Sequence, residues 1–150
     1  MKIIYEDLQQ VIQAHARYLA GEADGVKADL EGFDLYGRDM ANVNLAGANL
    51  RGTNLKRAIL WDANLEEADL ENAAFKHAIL QGINLRNANL RGAGLKGVNL
   101  IGADMRGADL SGADLESAVL EGALFDRTTI WPEGFDPLAA GAVFVSEVHR

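Results

Sequence analysis

The stretch Ala108-Asp109-Leu110-Ser111-Gly112-Ala113-Asp114-Leu115 carries the pattern that decides the fold. A small residue, an acid, a leucine, a free position and a glycine succeed one another, and then the order repeats. Working outward, the large position recurs at every fifth residue from Leu30 to Ile130. All 21 of these residues are apolar and 16 are Leu, so one side of the chain is always buried. Two residues earlier, 14 of 21 are Ala, with Phe33, Arg38, Val43, Thr53, Ile83, Val98 and Thr128 as exceptions. One residue earlier, 14 are Asn or Asp, and two residues later 11 are Gly, which marks a bend in each unit.

A period of five suits neither regular helix nor flat strand, whose side chains repeat every 3.6 and 2 residues. On a helix the Leu column would advance by roughly 140° per step, and on a strand it would alternate faces. The chain must turn a corner every five residues, always in the same sense. Stacked turns of that kind form a solenoid whose axis is filled by the apolar columns. Ala fits where the wall is close, while Gly and Asx suit corners.

From Ala28 to Pro132 the units resemble the pentapeptide repeat proteins, whose consensus is Ala-(Asp/Asn)-Leu-X-X. The resemblance implies an all-β solenoid, a right-handed quadrilateral β-helix with four pentads per coil and about five coils. The sequence itself carries traces of that period. Lys56, Lys76 and Lys96 recur at twenty residues, as do Ile59 and Ile79. At ~4.8 Å per coil the rod would be ~25 Å long.

Three segments are expected: a capping helix and linker over 1–27, the β-helix over 28–132, and a C-terminal cap or interface tail over 133–150. Tyr5 to Ala20 reads as an amphipathic helix with Leu8, Val11, Ile12, Ala16 and Leu19 on one face and Gly21 as its stop. His15 is expected to be a partly buried capping residue. Trp131 and Phe135 are expected to wedge over the last coil, with the tail capping its own rod in preference to a neighbour's.

The composition narrows the function. Net charge is -8 and there is no Cys, so no thiolate nucleophile, disulfide or thiolate metal site exists. No apolar run is long enough to span a membrane, and the first ten residues carry no apolar leader core, so a cytoplasmic protein is expected. The acidic balance argues against direct nucleic-acid binding. His15, His77 and His149 are too scattered to bind a metal. Asp104, Asp109 and Asp114 occupy consecutive repeats and so point to different faces. No catalytic, cofactor-binding or metal-binding residue is expected, and the protein is read as no enzyme.

The outward positions are more informative. On a twenty-residue coil, Ile59, Trp61, Ile79, Ile101 and Val119 share one face, where polar side chains are the rule in the family. This is the candidate interaction face. Lys56, Lys76 and Lys96 form a candidate basic column beside it. Between Asn72 and Arg106 there are five Lys or Arg against one acid, Asp104. The expected function is a protein-protein interaction or scaffold module, with a homodimer through the apolar face or the tail as one form. The resemblance adds an alternative, a DNA-mimicking protector or inhibitor of DNA gyrase or topoisomerase. The short rod, basic middle and uninterrupted pentads depart from that pattern. A purely structural accessory role is a further alternative.

Overall fold

The computed structural model describes residues 2–146. Its organising feature is a ladder of sixteen parallel bridges, from Asp29↔Asn49 to Asp104↔Leu124, each joining residues twenty apart. Four pentads therefore return the chain to its starting side. Each unit is a short side followed by a two-residue corner. Leu30 N–H donates to the Asn49 carbonyl at 2.8 Å, and Asn49 N–H donates back to the Ala28 carbonyl at 3.1 Å. Each side is too short to be a regular strand, but the ladder satisfies its backbone as a sheet would.

The corner explains the glycine column. Phe33 N–H closes a turn on the Leu30 carbonyl at 3.1 Å, and the residue between, Gly32, has φ 73°. Positive φ at the third residue is the type II signature. The same position stays left-handed in every unit to Gly122, including at Arg57, Asp62 and His77, where a side chain has to adopt it. The Asx column proves to lie mid-side rather than at the corner. From there all fourteen residues reach forward, as Asp69 Oδ1 does in accepting Glu71 N–H at 3.2 Å.

The core is the Leu and Ala columns. Every large position from Leu30 to Phe125 is buried. Three exceptions to Ala, namely Phe33, Arg38 and Val43, fall in the first coil. There Arg38 reaches up to the Ile3 carbonyl, and Lys2 bridges to Asp34. Side chains wider than Ala occupy the end of the rod, where no further coil lies above.

Helix α1 (Tyr5–Leu19) covers this end. Glu6 and Asp7 in its first turn and Arg17 in its last complement the helix dipole. Leu8 and His15 are buried and Val11 and Ile12 partly so, a stripe at i, i+3, i+4 and i+7. Ala16 and Leu19, expected on that face, are exposed, because the last turn lies beyond the stripe that meets the coil. His15 is wholly buried rather than partly so. After Gly21 the chain doubles back, and a Cβ at Gly25 would lie 2.2 Å from the Tyr18 nitrogen, so only glycine fits there.

At the other end the five-residue spacing breaks. Asp109 bridges to Ile130, one residue later than the period predicts. Thr129 is buried and its Oγ1 donates to the Met105 carbonyl at 2.9 Å, just as Thr53 Oγ1 donates to Leu30 at 2.8 Å. Thr129, not Thr128, thus fills the small column. Ile130, expected inward, is 49% exposed, and Trp131 takes the inward direction. The extra residue is taken up in the Asp126–Thr128 turn, where Asp126 Oδ1 accepts Thr128 N–H at 3.0 Å and its hydroxyl at 2.7 Å.

The tail folds back on its own rod. Strand β1 (Leu124–Phe125) pairs in parallel with β2 (Val143–Phe144). Trp131 meets Phe125 edge-on at 5.5 Å and stacks on Phe135 at 5.2 Å, while Phe144 meets Phe125 edge-on at 5.5 Å. His149 lies outside the described residues.

Candidate interaction surface

Bridges Ile59↔Ile79, Ile79↔Asn99 and Asn99↔Val119 stack these residues in one outward column. Trp61, Gln81, Ile101 and Glu121 stack at the corner that follows, joined through Asp62 N–H to the Gln81 carbonyl, Gly82 N–H to Ile101 and Gly102 N–H to Glu121. The five predicted residues Ile59, Trp61, Ile79, Ile101 and Val119 therefore share one side and its corner. Trp61 is 42% exposed, Ile79 39%, Ile101 37% and Val119 40%. Ile59 is half-buried. A hollow of about 280 Å³ opens beside Trp61, walled by Asp62 and Gln81.

Lys56, Lys76 and Lys96 stack at the corner preceding this side, and all three are exposed. They are contiguous with the apolar side rather than on a separate face. Lys96 pairs with Glu116 at 3.2 Å. Lys56, Lys76 and the adjoining Arg57 have no ion-pair partner among the described residues. Arg57 and Asp62, on opposite edges of the apolar side, were missed by the sequence reading. Their signal was available: each stands where the unit prefers Gly, and each holds a left-handed backbone at φ 58°.

Two of the other sides pair most of their charges within the side. Asn49 Nδ2 donates to Asp29 and Glu31, Arg51 reaches Asp69 at 3.1 Å and Glu71 at 2.8 Å, Asn89 donates to the same two acids, and Arg91 reaches Asp109 at 3.2 Å. Hydrogen bonds to Asp69 and then Glu71 raise the Arg51 guanidinium above its ordinary value. On the next side around, Arg106 grips Asp104 with two hydrogen bonds, at 2.9 and 2.7 Å. Burial opposes the Asp104 charge, but these bonds outweigh it and hold the carboxyl below its usual range. Asp104, Asp109 and Asp114 lie on three successive sides and do not converge.

A two-column polar ladder on one side and an apolar side flanked by free cations on another define a repeat scaffold with one distinctive face. The family model for pentapeptide repeats matches in eight copies, in segments from residue 26 to residue 131. The chain belongs to the pentapeptide repeat family. Among solved structures it is similar to the pentapeptide repeat protein Rfr23 from the cyanobacterium Cyanothece 51142, at 43% identity over 62% of this chain and 63% of that one, with TM-score 0.61. This chain thus spans less than two thirds of that relative. It is also similar to a pentapeptide repeat protein of the Arabidopsis thaliana thylakoid lumen, at 31% identity over 61% and 68% of the two chains, with TM-score 0.52. A pentapeptide repeat protein from Nostoc Pcc 7120 is 32% identical over 89% and 93%, with TM-score 0.44. No curated protein matches the chain. The family and the Cyanothece and Arabidopsis neighbours imply the right-handed quadrilateral β-helix.

Proposed function

We propose that the protein is a non-catalytic interaction module, a β-helical rod of about five coils that docks a protein partner through Ile59, Trp61, Ile79, Ile101 and Val119. The observation that carries this reading is the exposed Trp61 amid aliphatic side chains, on a molecule whose other Asx columns are polar in most coils. Exposed aromatics in an apolar patch are the usual anchors of binding energy. Support for a non-catalytic role is that acids such as Asp69, Glu71 and Asp104 are spent on corner turns and ion pairs.

The DNA-mimicking alternative rests on net acidity, and it has less support. Arg51 and Arg91 neutralise the acids of one side, and the free cations line another. The test is affinity capture from the source organism with wild type and the Trp61→Arg, Ile79→Lys double variant. A partner retained by the wild type and lost from the variant supports the reading. Equal retention by both overturns the assignment of the face.

A further inference from the structure

The apolar side has two chemically different edges, and together they specify the partner. On one edge stand Lys56, Arg57 and Lys76, three cations with no ion pair to any described residue. On the other stands the hollow between Trp61, Asp62 and Gln81, which offers a carboxylate beside an aromatic ring. Between them lie Ile59 and Ile79. We infer that this surface takes an amphipathic α-helix of a partner protein, laid along the rod, with acidic residues on one flank and a Lys or Arg on the other. The inference rests on the function proposed above and adds the chemistry and direction of the partner.

Dimensions support a helix. A three-residue side spans ~10 Å at ~3.3 Å per residue, close to the ~10 Å diameter of a helix. Coils stack at ~4.8 Å, and a helix rises ~5.4 Å per turn. One apolar side chain per turn therefore meets successive coils, at Ile59 and Ile79 in the mid-side column and then at Ile101 on the adjoining corner, beside Asn99. The acidic flank would neutralise Lys56, Arg57 and Lys76, and the basic residue would sit against the Trp61 ring and the Asp62 carboxylate. A second copy of this chain is the competing occupant. A twofold axis across the rod would bring one copy's Lys56, Arg57 and Lys76 towards its own kind, with Asp39 and Glu121 meeting at the ends, whereas an axis along the rod would set those cations against the other copy's Trp61 and Asp62 edge. A dimer of the full chain alone in sedimentation, dispersed by Trp61→Arg, would overturn the helix as occupant.

The test is selection from a displayed library of amphipathic helical peptides, with the apolar face fixed and both flanks randomised, against the full chain. Binders should be enriched in Glu and Asp on one flank only and should compete with one another. The Lys56→Glu, Arg57→Glu, Lys76→Glu variant should weaken them by about tenfold or more and reverse the enriched charge. Its melting is measured in parallel; should it not fold, Lys76→Glu alone serves, since that side chain is exposed and unpaired. Binders that need Trp61 but carry neutral or basic flanks overturn this inference and leave the interaction face standing. Binders indifferent to Trp61→Arg, or none at all, overturn the docking of a helix here.

Discussion

His15 Nδ1 accepts the Ala28 backbone N–H at 2.9 Å, while its Nε2 lies 2.8 Å from the Ala46 carbonyl. One nitrogen accepts and the other must donate, so the ring is the Nε2–H tautomer. A single buried side chain thereby joins the capping helix to both ends of the first coil. His15→Ala leaves the buried Ala28 N–H and the half-buried Ala46 carbonyl without this partner, and we expect a loss of about 2 kcal/mol. Urea unfolding checks the size, and faster amide exchange at Ala28 would locate the loss. Unchanged exchange at Ala28 would contradict the role given to His15.

The register slip gives a second prediction. By simple counting Ile130 belongs in the core, but it is exposed, and Trp131 packs with Phe125 and Phe135 instead. Ile130→Asn should therefore cost less than about 0.5 kcal/mol, as for a surface position. Trp131→Ala should cost about 3 kcal/mol. Thermal melting of the two variants checks the order; the reverse order would restore the unbroken period.

The inward column supplies a third. Leu80 is wholly buried midway along the rod. Leu80→Ala should cost about 3 kcal/mol through its cavity, and Leu80→Asp should prevent folding. Circular dichroism of both variants is the check, and a Leu80→Asp variant that melts as wild type would contradict the inward register.

Acid stability gives a fourth. Burial opposes the charges of Asp104, Asp109 and Asp126, but hydrogen bonds from Arg106, Ser111 and Thr128 respectively outweigh it, and all three carboxyls lie below the ordinary value of 3.8. The unfolded chain therefore takes up these protons first as pH falls. Their contribution is full above about pH 4 and is lost as pH drops through the lower folded values. Denaturant midpoints between pH 6 and pH 2 should show this loss, and Asp104→Asn should flatten it.

Much of this architecture was legible from one column. Leu30 to Phe125 had to face inward because no other placement buries them, and Trp61, with Ile59 and Ile79, stood out for being large and apolar at outward positions where the family usually carries polar side chains. Other features depend on distance rather than pattern. Whether Ala16 and Leu19 are covered depends on where α1 crosses the first coil. The slip at Asp126–Thr128 follows from a local turn held by side-chain hydrogen bonds, which a period cannot register. Arg57 and Asp62 went unremarked because a period shows only that they stand where the unit prefers glycine; stacking is what places them on opposite edges of one side. That the tail returns to its own rod follows from the Val143↔Leu124 register, which no motif announced.

The central claim is that partners meet this rod on the Trp61 side. Its most direct test is site-specific photo-crosslinking in the source cells, with a photoreactive residue at position 81, beside Trp61, or at position 91, two corners away. The account predicts a discrete adduct from position 81 and none from position 91. Adducts from position 91 alone, or equally from both, would contradict it.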